Sequence, residues 1–267
     1  MGNGLRKLLI PSCAAVLFVA RAAGAQEAGQ GMHKSGGFIL SAERLFGLSF
    51  WSFHQERDAV PVAGATALDT TTSGTSFSLL FGSNVGSTST GTGGSIAGAL
   101  PSPYMTPRLA FDFLPIESLT VGGSIGFLTS SGETESLNNV VPRDTATITI
   151  FALTPRIGYV IPITDAIYFW PRVGITYFSW NATTNPPPPV PPAPQQPEVS
   201  ATLSGFAIDI EPAFVFAVVP HFGISVTPVA DIPLAGSISQ DPADPNEPET
   251  RVKIRNIGAT VGILGFF

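Results

Sequence analysis

The chain is poor in cysteine, in charge and in long apolar runs. Cys13 is the one cysteine among 267 residues, so no disulfide framework can form and no thiolate metal site is available. Asp, Glu, Lys and Arg make up 12% of the chain, about half the share in ordinary soluble domains. Beyond residue 25 the longest uninterrupted apolar stretch is Ala213–Val219, seven residues, whereas a membrane-crossing helix needs roughly 17–25. There is no H-E-x-x-H, P-loop or paired-cysteine motif, so metal and nucleotide chemistry have no foothold and no cofactor is expected. Acids outnumber bases by 19 to 13, a balance that argues against nucleic acid as a partner.

What is abundant complicates that picture. Hydrophobic residues reach 44%, yet 28 Gly and 25 Pro interrupt any helix. Mean hydropathy is +0.30. An apolar, charge-poor chain without long apolar runs is reconciled by one architecture, a transmembrane β-barrel whose apolar side chains occupy alternate positions and face lipid.

The first 25 residues look like an export signal. Arg6 and Lys7 precede the apolar stretch Leu8–Ala20, and Ala23-Gly24-Ala25 precedes Gln26. This is the pattern of a secretory leader, with cleavage expected between Ala25 and Gln26. Cys13 lies inside the apolar core beside Pro11 and Ser12, which disfavours a lipoprotein. Of the 13 basic residues three (Arg6, Lys7, Arg21) belong to the leader, so the mature chain has 10 against 19 acids, net −9. Residues 26–36 are expected to form a flexible mature N-terminus and 37–267 the barrel.

Strict alternation marks strands. In Thr149–Ile161, Phe151, Leu153, Ile157, Tyr159 and Ile161 share one face, and Thr154, Arg156 and Gly158 the other. After the turn Pro162–Asp165 the same holds for Ile167–Tyr177. Met105–Phe113 with Leu119–Phe127, Phe206–Val218 with Phe222–Leu234, Gly37–Phe53 and Ile257–Phe267 complete eight strands. Short turns alternate with the long segments 54–104, 130–146, 183–201 and 236–252, as in an antiparallel up-and-down outer-membrane barrel with loops outside and turns in the periplasm. Thr75–Gly82 also reads as strand; it is assigned to an extracellular extension of the first loop. A ten-stranded barrel using Gly91–Leu100 is the less favoured alternative.

The two faces can be assigned by magnitude. Opposite the Phe, Ile and Val stripes lie Glu43, Arg108, Asp112, Arg156, Arg172, Asp209, Glu211 and Asp231. An arginine on lipid at mid-bilayer costs roughly 2–4 kcal/mol, so reversing the faces would cost about 6–12 kcal/mol for the three arginines. These charges therefore face the lumen. An eight-stranded lumen is just wide enough for its own side chains, and a charge network is expected to plug it. Counting from the turn centres places Arg156 beside Arg172 and Glu211 beside Asp231. Gly122, Ser124 and Gly126 leave room for Arg108 and Arg156 to lie across. Arg44 has the parity of Phe46, Leu48 and Phe50, so it must sit at the periplasmic rim or beside a bulge.

Thr154-Pro155-Arg156-Ile157-Gly158-Tyr159, then Trp170-Pro171-Arg172-Val173-Gly174-Ile175, with a third Pro-Arg pair at Pro107-Arg108, resemble the small outer-membrane β-barrel family of the OmpA transmembrane-domain or OmpX type. The ending Ile257, Ala259, Val261, Ile263 and Phe267 is similar to that family's C-terminal signal; Gly265 departs from it. The resemblance implies that outer-membrane lipids surround the chain and that the outer-membrane assembly machinery reads the last strand.

Other chemistry is weighed and set aside. Gly122-Gly123-Ser124-Ile125-Gly126 matches G-x-S-x-G, but that motif needs a strand-to-helix turn and here it lies within an alternating strand. The Glu211/Asp231 pair suits ion-pair filling better than acid/base work. His33 falls in the N-terminal arm, His221 in a solvated periplasmic turn, and His54 at the outer rim beside Gln55-Glu56-Arg57-Asp58. Asn185–Glu198, with eight prolines, should form a stiff polyproline II arm. Asp241–Thr250 is acidic, and Lys253 and Arg255 stand where lipopolysaccharide phosphates would meet them. The reading is a non-enzymatic outer-membrane barrel with a structural or surface-interaction role. The rivals are a narrow passive channel, a lipid-modifying enzyme built around His54, and a soluble exported barrel or sandwich.

Overall fold

The computed structural model describes residues 31–57, 68–79, 83–84, 88–90, 103–131, 133–134, 143–144, 147–184, 199–241 and 250–267. The leader with its Ala25/Gln26 cleavage site, the Gly91–Leu100 segment, the proline-rich arm and residues 242–249 of the acidic segment lie outside the described residues.

Within them the chain is built of strands: β1 (Phe38–Arg57), β2 (Leu68–Leu79), β3 (Ser83–Asn84), β4 (Thr88–Thr90), β5 (Arg108–Ile116), β6 (Leu119–Ser130), β7 (Glu133–Thr134), β8 (Arg143–Asp144), β9 (Thr147–Tyr159), β10 (Ile161–Thr164), β11 (Ile167–Thr184), β12 (Val199–Val219), β13 (Phe222–Asp241) and β14 (Thr250–Phe266). Eight of them (β1, β5, β6, β9, β11, β12, β13 and β14) pair antiparallel in a ring, which closes when β14 pairs with β1. Closure joins the first and last strands of the ring, as a lipid environment demands. No helix among the described residues is long and apolar enough to cross a membrane.

The alternating pattern does its work on both faces. β5 and β14 switch between buried and exposed at nearly every residue. Thirty large hydrophobic side chains are exposed among the described residues, including Leu109, Phe111, Ile125 and Phe127. That is on the order of 2,000 Å2 of outward apolar surface, against 300–600 Å2 in the largest patch of a typical soluble monomer. Lipid covers such a belt; water does not, so the soluble sandwich is excluded.

Three features depart from expectation. The strands run further than the alternation suggested: β11 and β12 pair out to Thr184↔Val199, and β12 and β13 to Ser200↔Asp241. The segments 183–201 and 236–252 are therefore strand at their ends. Thr75–Gly82 is not confined to an extracellular extension. Its residues 75–79 belong to β2, which hydrogen-bonds along β1 from Arg57↔Leu68 to Phe46↔Leu79 and brings Phe77 opposite outward-facing Leu48. β2 thus lengthens the wall beside β1 beyond the start of β5, leaving the ring at eight.

The third departure is at the N-terminus. Residues 31–36, expected to be flexible, are folded across the turn end of the barrel. Met32 is buried with Ile39, Leu114, Trp170 and Phe266, and His33 accepts a bond from the Ser118 amide at 2.8 Å through its carbonyl. A buried methionine holds the segment where polarity alone suggested a free arm. His221, too, is more than solvated. Its ring lies 9° from parallel to Phe267 at 6.0 Å, and its Nδ1 is 2.9 Å from the Phe266 carbonyl.

Candidate functional site

The lumen is filled in three layers. At the turn end, Met32, Ile39, Leu114, Val160, Tyr168, Trp170 and Phe266 form an apolar floor. At the loop end, Trp51, Phe53, Tyr104, Ile150, Phe178, Trp180 and Ile254 form an apolar cap. Between them lie all eight charged residues expected in the lumen, each at most 5% exposed.

Their contacts form one connected network. Arg156 binds Glu43 at 2.7 and 2.8 Å and Asp112 at 2.6 and 3.1 Å, and reaches Glu211 at 3.4 Å. Arg172 bonds to Glu43 and to Glu211, the latter at 2.8 Å. Its guanidinium stacks on Trp170, with Cζ 4.4 Å from the ring centroid. Trp170 in turn donates to Thr120 Oγ1 at 3.0 Å, so the indole joins the floor to the ionic layer. Arg108 approaches Asp209 at 3.3 Å and donates to Thr154 at 2.7 Å. Asp231 accepts from Asn256 at 2.7 Å.

Sequence reasoning missed the residue that ties these parts together. Arg44 contacts Asp209 at 3.0 Å, Glu211 at 2.8 Å and Asp231 at 3.6 Å. It also donates to the Tyr104 carbonyl, while the Tyr104 ring packs edge-on against Phe178 at 5.2 Å. Its parity is that of the lipid stripe, but β1 bulges between Ala42 and Phe46 and Arg44 has φ +56°. A left-handed non-glycine residue costs roughly 1–3 kcal/mol; an arginine left in lipid costs about 2–4 kcal/mol. Turning inward is the cheaper outcome even before three carboxylates are counted. Of the two positions that parity allowed, the bulge is the observed one and the periplasmic rim is not.

Tyr104 was missed because it sits in the expected loop 54–104. There Pro103–Met105 forms a 3-10 turn with all three side chains buried. Met105 accordingly leaves the strand it was assigned to, which begins only at Arg108.

The pairing by turn arithmetic also needs correcting. Arg172 lies opposite Gly158, and Arg156 opposite Gly174, so the two arginines are diagonal. The turn falls at Asp165–Ala166, one residue later than counted, and that slides the register by two. In the same way Asp231 faces Asp209, not Glu211, because β12 and β13 carry an irregularity between Ala217 and Val219. Glu211 instead faces Arg172 directly. Small residues make the space. A Cβ on Gly158 would lie 2.8 Å from both Arg172 Cγ and Trp170 Nε1, and one on Gly122 would strike Asp112 at 2.7 Å.

At the opposite pole from this interior is the outer rim. His54 Nδ1 is 3.0 Å from Thr71 Oγ1 and 3.7 Å from Asp69. Ser124, the serine of the G-x-S-x-G match, is buried in β6, which runs as strand from Leu119 to Ser130.

No family model matches the chain, and no curated protein matches it either. Solved structures similar to it include small outer-membrane β-barrel proteins. OprG from Pseudomonas aeruginosa is 13% identical, covering 88% of this chain and 97% of its own, with a TM-score of 0.46. AlkL, in lipid bilayers, is 10% identical over 91% of this chain and 94% of its own, with a TM-score of 0.47. Ail of Yersinia pestis is 11% identical over 86% and 99%, with a TM-score of 0.33. Likeness at this distance is one of architecture and carries no residue roles.

Proposed function

We propose that the chain is an integral outer-membrane protein whose barrel is closed by a paired-charge plug and serves as a non-conducting scaffold for surface segments. One observation carries the reading: the lumen holds, in series, an apolar floor, a network of four arginines and five carboxylates, and an apolar cap containing Tyr104. Water or a solute would have to break buried ion pairs to pass, at about 3–5 kcal/mol for each partner stripped. The belt and the short turns support a periplasmic location for both chain ends. The last strand, with Ile257, Ala259, Val261, Ile263 and Phe267, supplies the surface that the assembly machinery would read.

The experiment is planar-bilayer recording on the refolded protein, with a heat-modifiability gel on the same sample. A mobility shift between boiled and unboiled samples, with current at the baseline of the bare bilayer, is expected. Steady ohmic conductance from a heat-modifiable sample would overturn the plug and favour the passive channel.

A further inference from the structure

We infer that the outward face of β14 at the loop end is a docking row for the phosphate groups of a phosphorylated glycolipid of the outer leaflet. The inference rests on the outer-membrane reading above and adds the residues and the lipid chemistry.

Arg251, Lys253 and Arg255 alternate along β14 and are exposed, on the same face as Ile257 and Ile263 of the apolar belt. Ile257 lies opposite Phe50, the last large apolar residue of the outward β1 stripe. The charged row begins with the next outward residue, Arg255. Cationic side chains cost about 2–4 kcal/mol at the midplane but only about 0–1 kcal/mol near the interface, and this is the height at which headgroup phosphates begin.

Among the described residues Lys253 and Arg255 have no ion pair. Glu56 lies opposite Arg251 and offsets it. Lys253 and Arg255 face His54 and Ser52 on β1, and Ile232–Ser239 of β13 carries no charge at all. The His54 ring is itself engaged by Thr71, and exposed Asp69 lies 3.7 Å from it. Successive outward positions are about 6.7 Å apart, so Lys253 and Arg255 can grip one phosphate group together, with the guanidinium supplying the fork. The row is not a by-product of a basic chain. Net charge is −6. Outside the leader and the lumen only six basic residues remain (Lys34, Arg57, Arg143 and these three), and half of them stand in this row.

The test is a native mass-spectrometry titration of the folded protein in detergent micelles. The probes are bis-phosphorylated lipid A, the same lipid without phosphates, and inorganic phosphate. Lys253→Gln and Arg255→Gln should each lower affinity for the bis-phosphorylated lipid roughly five-fold and together about thirty-fold. The charge-retaining exchange K253R/R255K should restore it, and the dephosphorylated lipid should bind the parent no better than the double variant. Equal affinity of parent and double variant, or of the two lipids, overturns the inference. Retention of inorganic phosphate as tight as that of the lipid overturns the assignment to a lipid. Heat-modifiability of each variant establishes that it is folded. Recovery of the parent from the periplasm instead of the outer membrane would sink the underlying reading, a result separate from any of these.

Discussion

Replacing Arg156 with Met tests the energetic logic of the plug. Arg156 holds Glu43, Asp112 and Glu211 at 2.6–3.4 Å. Glu43 and Glu211 keep Arg172 in the variant, but among the described residues Asp112 has ion pairs with Arg156 alone. Asp112 is 0% exposed, so the substitution strands a carboxylate in a sealed interior. Breaking a buried pair from one side costs about 3–5 kcal/mol. Removing both partners, in R156M/D112A, should recover about 1–3 kcal/mol relative to the sum of the two single changes. Equilibrium urea unfolding in lipid vesicles, followed by tryptophan fluorescence, measures all four members of the cycle. Arg156→Met with the parent's stability, or strictly additive energies, would show that the contacts are incidental to what holds the barrel together.

Three further outcomes follow from other parts of the molecule. Gly158→Val drives a side chain against Arg172 and Trp170 and should destabilise the barrel by about 1–3 kcal/mol through overpacking, seen as a lower midpoint in a heat-modifiability series. Phe77→Arg should cost up to about 2–4 kcal/mol if β2 stands in lipid beside Leu48, whereas the same change at exposed Asp69 should leave vesicle unfolding unaltered. Phe267→Ala should reduce the amount of barrel assembled in cells while the purified chain refolds in detergent with nearly the parent's yield. Equal losses in both settings would make Phe267, which stacks on Phe38 at 5.0 Å, a packing residue only.

Much of this architecture is a local property of the chain. Side-chain direction in a strand has period two, so the alternation of Phe151, Leu153 and Ile157 with Thr154, Arg156 and Gly158 assigns each to lipid or lumen without reference to any partner strand. The cost of charge in lipid then decides which face is which, and all eight expected ionic residues are indeed buried inside. Composition, with its scarce charge and abundant glycine and proline, limits the choice of fold before any contact is known.

Who meets whom was decided only by tertiary structure. A turn displaced by one residue moves the pairing by two, which is why Arg156 faces Gly174, and an irregularity in the β12–β13 pair is why Asp231 faces Asp209. Arg44 reverses its parity through a bulge, a backbone choice stabilised by carboxylates 165 and 167 positions away. Tyr104 and the 3-10 turn that caps the lumen belong to a stretch without periodicity, and β2 finds β1 through pairing that its own residues do not advertise. Parity is written residue by residue; register, bulges and plugs are settled by the closure of the barrel, because only there do distant charges share one small volume.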